Sequence, residues 1–162
     1  ELLRFDLSQP DYDHLRQMLA SSVAVKERIV AQDPFEQGIR KALNFGHTIG
    51  HAIESLSLQR RPILHGYAVA YGLVAELYLS SLRMHFPTDK LRQTVSYIRQ
   101  HYGEPDITCD DYPQLIQLMH HDKKNTGNDI NVTLLSDIGD LHINQIVSEA
   151  EIRDALDFLR EG

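Results

Sequence analysis

The sequence predicts a mainly α fold, a helical domain carrying one short β-hairpin. Three observations carry that expectation. Apolar residues recur at three- and four-residue spacing through most of the chain. A long apolar run from Gly66 to Leu82 holds Glu76 as its one charged residue, which fits a central helix buried on nearly all sides. Strand-like alternation is confined to Ile130, Val132 and Leu134 and to Leu141 and Ile143, on either side of Asp137-Ile138-Gly139-Asp140, which is a hairpin pattern.

Taken in order, Ser8 and Pro10 suit a helix start. Leu15, Met18, Leu19, Val23, Ile29 and Val30 then place one helix, or a bent pair, up to about Ala31. Lys26 lies three residues from both Val23 and Ile29, on or beside the inward stripe, where a snorkelling lysine is the ordinary outcome. Asp33-Pro34 ends this helix, because the residue before a proline avoids helical geometry. A loop through Gly38 carries Glu36 and Arg40 into a second helix that ends near Leu58, with Pro62 marking the break. His65 and Gly66 open the buried helix. A further helix, roughly Thr88 to His101, presents Leu91, Val95, Ile98 and Tyr102 and stops at Gly103 and Pro105. Asp110 or Asp111 caps the next, whose Leu115, Ile116 and Leu118 pack inward. After the hairpin, Ser148 and Glu151 form a capping box for a final helix to about Leu159.

At 162 residues the chain is long enough for a single domain, 1–162, with its own core. Its 16 basic and 23 acidic residues leave a net charge of −7, which argues against nucleic acid or a membrane surface as partner. An anionic substrate therefore needs a local basic pocket. The single Cys109 cannot form an internal disulfide and nothing resembles a secretory signal, so a cytoplasmic location is expected. The chain starts at Glu1 without methionine, which hints at a longer protein. No G-x-G-x-x-G follows a strand pattern, so no dinucleotide-binding half is expected within these residues.

The chemistry concentrates in Leu43-Asn44-Phe45-Gly46-His47-Thr48-Ile49-Gly50-His51-Ala52-Ile53-Glu54. His47 and His51 are one helical turn apart, so both imidazoles can serve one site. His65 follows after a break that lets the chain turn back. Imidazole is the commonest metal ligand, although a buried histidine is often merely hydrogen-bonded. Gly46 and Gly50 strengthen the metal reading. Together they leave a strip without side chains, where another backbone or a ligand can approach, and helix-interior glycine costs about 1 kcal/mol against alanine. Thr48 stands where the zinc-protease pattern H-E-x-x-H has glutamate, which disfavours a metalloprotease. A second cluster, His120-His121-Asp122-Lys123-Lys124-Asn125-Thr126-Gly127, reads either as cations at a helix C-terminus or as a phosphate site.

The run Arg40-x-x-Leu43-Asn44-Phe45-Gly46-His47-Thr48-x-Gly50-His51-Ala52-x-Glu54, followed by His65-Gly66, closely resembles the 3-dehydroquinate synthases, sugar-phosphate cyclases of the shikimate pathway. The likeness extends through Lys26, Asp33 and Glu36 upstream and Asp122-Lys123-Lys124-Asn125 downstream. It implies the C-terminal domain of a dehydroquinate synthase-like fold, with an NAD-binding N-terminal domain lying outside this chain. It also implies a Zn2+ or Co2+ ion on His47 and His65, with a third ligand, a glutamate, upstream of Glu1. Glu36 and Glu54 are local substitutes to which the resemblance gives no such role. His51 would bind no metal; it would hydrogen-bond the substrate and assist proton transfer. Lys26 and Arg40 would hold the substrate carboxylate, Asn44 with Lys123 and Lys124 would lie near its phosphate, and Glu36 joins the catalytic set. An always-charged planar guanidinium suits a carboxylate, and lysines suit phosphate as point charges.

The implied reaction converts a seven-carbon keto-acid phosphate, 3-deoxy-D-arabino-heptulosonate 7-phosphate, to 3-dehydroquinate and phosphate. A homodimer is expected of the full-length enzyme, and these residues alone should fold, hold zinc weakly and be inactive. Two other readings remain open: a sister cyclase of the inosose or valiolone type, which Arg40 and Lys26 disfavour, and a non-catalytic metal-binding module.

Overall fold

A computed structural model of the protein describes residues 5–6, 8–121 and 129–162. Its contacts fall into two compact units, Glu1–Leu43 and Asn44–Gly162, where the sequence reads as one domain. In the first unit, α1 spans Tyr12–Gln32. Asp11 caps it by accepting from the amides of Asp13 and His14, so the start lies a little beyond Ser8 and Pro10. No residue of α1 is buried. The apolar period is real, but Leu19 and Val23 stand exposed rather than packed inward, since period reports a face able to pack and not its burial. After Pro34 the chain forms a tight loop and a 3₁₀ turn, Ile39–Asn44.

The second unit is built around a helix pair, α2 (His47–Ser57) and α3 (His65–Met84). The apolar run does form the central helix: Ala68, Ala70, Tyr71, Val74, Ala75 and Leu79 are all buried. Against it pack α2, α4 (Thr88–Tyr102), α6 (Glu149–Glu161) and the first strand of the hairpin, while α5 (Tyr112–His120) packs on α2. No described helix is long and apolar enough to cross a membrane. Gly103 ends α4 with a positive φ, and the Ser148–Glu151 capping box opens α6.

The hairpin pairs β1 (Ile130–Asp137) antiparallel to β2 (Asp140–Val147), with Ile130 opposite Val147 and Leu134 opposite His142. Strict alternation fails in β1, where Val132, Thr133, Leu134 and Leu135 are buried in succession. A register shift between Val132 and Leu134 breaks the two-residue period there. The expected cap of α5 is also corrected. Asp111 occupies the capping position but makes no side-chain cap; its carboxylate accepts from the amide and hydroxyl of Thr108 (2.7 and 3.1 Å) and pairs with the Arg60 guanidinium. A charged donor outcompetes a lone helix amide for the same oxygens.

Candidate metal centre

Two helix starts meet at the histidines. His47 is the first residue of α2 and His65 the first of α3. His51 and Glu54 follow His47 along the same face of α2. Ring centroids lie 5.3 Å apart for His47 and His51, 5.5 Å for His47 and His65, and 5.6 Å for His51 and His65. One ligating atom from each of the three lies within 4.8 Å of the others. Tetrahedral zinc with Zn–N near 2.1 Å needs nitrogens about 3.4 Å apart, a spacing that lies within the reach of this cluster.

Two of the rings face acceptors. His47 Nδ1 lies 3.1 Å from the Phe45 carbonyl, and His65 Nδ1 lies 3.0 Å from Glu54 Oε2. A carbonyl or an ionised carboxylate can only accept, so each Nδ1 donates, and in the neutral ring Nε2 then carries the lone pair. That is the tautomer a metal-binding imidazole presents. The residues therefore fit a divalent ion.

The helices come this close because glycine lines their contact. A Cβ on Gly72 would sit 1.9 Å from the Gly46 carbonyl oxygen and 2.7 Å from the Gly50 nitrogen, and one on Gly50 would sit 2.9 Å from the Ala68 carbonyl oxygen. The strip without side chains thus receives the backbone of α3. Gly46 takes φ +79°, and its amide donates to Glu76 Oε2 at 2.8 Å. Glu76 is fully buried, and its part in seating α2 is a role that sequence reading missed. The available signal was a lone carboxylate in an apolar run. Thr48 is buried as well and donates to the Asn131 carbonyl at 2.8 Å, tying the histidine helix to β1.

Asn44 closes the 3₁₀ turn three residues before His47 and belongs to the same unit as the histidines. Lys26, Glu36 and Arg40 belong to the first unit. Lys26 is exposed on α1, and Glu36 is half-buried in the loop with φ +56°. Arg40 Nη1 donates to the Pro34 carbonyl at 2.8 Å. Asp33 organises that loop, accepting from the amides of Gln37 (3.0 Å), Gly38 (2.7 Å) and Arg40 (3.1 Å). Those amides, Gln37 foremost, hold its carboxyl below the usual aspartate range. Lys123 and Lys124 lie outside the described residues.

Residues 3–125 match the model of the 3-dehydroquinate synthase C-terminal family. The chain belongs to that family. It is 56% identical over 162 residues to a 3-dehydroquinate synthase of Parabacteroides distasonis, an alignment that covers 99% of this chain and 46% of that protein. It is 39% identical over 126 residues to the enzyme of that name from Listeria innocua, covering 77% and 34%. The chain thus spans half or less of the length of these curated relatives. Among solved structures it is similar to 2-deoxy-scyllo-inosose synthase in complex with carbaglucose-6-phosphate, NAD+ and Co2+, with a TM-score of 0.71 and 23% identity, over 93% of this chain and 41% of that one. At that identity the likeness concerns the fold.

Proposed function

We propose that the chain is the metal- and substrate-binding half of a cytoplasmic 3-dehydroquinate synthase, converting 3-deoxy-D-arabino-heptulosonate 7-phosphate to 3-dehydroquinate and phosphate. The observation that carries this reading is the imidazole cluster, in which the ligating atoms of three histidines come together and the Nδ1 atoms of His47 and His65 face acceptors. His47 and His65 hold Zn2+ or Co2+, and an N-terminal domain holds NAD. When bound, the ion polarises substrate hydroxyls and NAD supplies reversible oxidation of the ring. His51, its ring beside both others, hydrogen-bonds the substrate and moves a proton. Lys26 and Arg40 hold the carboxylate, Asn44, Lys123 and Lys124 take the phosphate, and Glu36 completes the set. The whole enzyme works as a homodimer. Support for the metal and for NAD comes from the neighbour solved with Co2+ and NAD+.

An inosose synthase is the second reading, favoured by the same neighbour. The relatives of higher identity and the Arg40–Lys26 pair weigh against it. The deciding experiment measures phosphate release by the full-length protein with NAD and Zn2+, from the heptulosonate phosphate and from glucose 6-phosphate. Release from the former alone is expected. Release from glucose 6-phosphate alone would transfer the chain to the inosose type, and release from neither by a metal-loaded protein would make it a non-catalytic metal module.

A further inference from the structure

We infer that Glu54 is a positioning residue for the metal centre: it fixes the tautomer and the orientation of His65 and does not ligate the ion itself. The inference rests on the reading of His47 and His65 as ligands. The sequence left Glu54 open as a local third ligand, but the group of side chains whose ligating atoms come together is histidines alone, and Glu54 Oε2 is engaged by His65 Nδ1 at 3.0 Å. His65 needs such a tie more than His47 does. Its side chain is 54% exposed at the very first residue of α3, where no preceding helical turn restrains the ring and the other two imidazoles lie against it. Glu54 is 29% exposed and sits mid-helix in α2, on the face that carries His47 and His51. The bond therefore spans two helices and registers the start of α3 against the histidine pair. An acceptor on Nδ1 forces the proton there, leaves Nε2 as the ligand atom and raises its basicity. Loss of such a partner costs about 10- to 100-fold in metal affinity.

Two measurements on the full-length protein test this, with Glu54→Ala, Glu54→Gln and His65→Ala compared by far-ultraviolet circular dichroism to verify the fold. Long-range 15N–1H NMR of the metal-free protein should find the His65 proton on Nδ1, moving largely to Nε2 in Glu54→Ala and staying in Glu54→Gln, whose carbonyl still accepts. Zn2+ titration against a chromophoric chelator should show affinity falling about 10- to 100-fold in Glu54→Ala and substantially recovered in Glu54→Gln. Direct ligation predicts instead that Glu54→Gln binds as poorly as Glu54→Ala, and that result would overturn the inference. So would a wild-type His65 protonated on Nε2. If the full-length wild type carries the proton on Nδ1 yet retains no Zn2+, the metal reading fails and the tautomer assignment stands.

Discussion

A metal-binding imidazole must keep one nitrogen without a proton, and in His47 and His65 it is Nδ1 that faces an acceptor. We predict that, in the full-length enzyme, His47→Ala or His65→Ala abolishes metal retention, whereas His51→Ala keeps the ion and loses turnover. Metal content after gel filtration, read beside phosphate release, checks this; equal metal loss in all three variants would refute the division. That these histidines meet at one corner was legible in sequence, because spacing on a helix fixes direction. Their protonation was not, since Phe45 lends a backbone oxygen and Glu54 reaches across to another helix. Neither contact follows from spacing. Glu76 escaped for a related reason: a charge in an apolar run does not announce which amide it serves.

At the level of elements, α2 and α3 touch backbone to backbone, and Gly72 is the point of closest approach. An added methyl at 1.9 Å from the Gly46 carbonyl oxygen meets no yielding side chain, so the helices must separate and carry His47 with them. Gly72→Ala should therefore destabilise by at least the roughly 1–3 kcal/mol of ordinary overpacking and also weaken Zn2+ binding. Thermal melts and metal titration on the same sample test it; an unchanged pair of values would count against the glycine contact. Helix positions were readable to within a few residues because caps, prolines and period agree at each boundary. The misses arose where a tertiary partner prevailed over a local rule. Arg60 drew Asp111 away from capping α5, and a register shift in β1 buried Thr133 alongside Val132.

Across the whole molecule the net charge of −7 includes carboxylates that the fold keeps ionised to lower pH. The Arg60 guanidinium, then the Thr108 amide and hydroxyl, hold the nearly buried Asp111 below the ordinary aspartate value, and backbone amides do the same for Asp33. Because the folded pKa is depressed, the stabilisation is complete above the unfolded value of about 3.9 and vanishes as pH falls through the folded one. Urea midpoints should therefore stay level from about pH 5 to 7 and drop below about pH 4. Arg60→Ala should lower the urea midpoint only modestly at neutral pH, because the guanidinium is half exposed, and should make the acid drop shallower. An acid limb identical to the wild type would show that the pair does not contribute.

The bond from Glu54 to His65 closes a loop of only 11 residues, whereas the bond from Thr48 to Asn131 that ties the same helix to the hairpin closes one of 83. Loop-closure entropy grows as (3/2)RT ln n, so the longer closure costs about 1.8 kcal/mol more. On a chain emerging from the ribosome, the histidine corner can assemble from a short contiguous stretch long before β1 exists to seal it, and a cation met at that stage would bind a helical hairpin still in the course of folding.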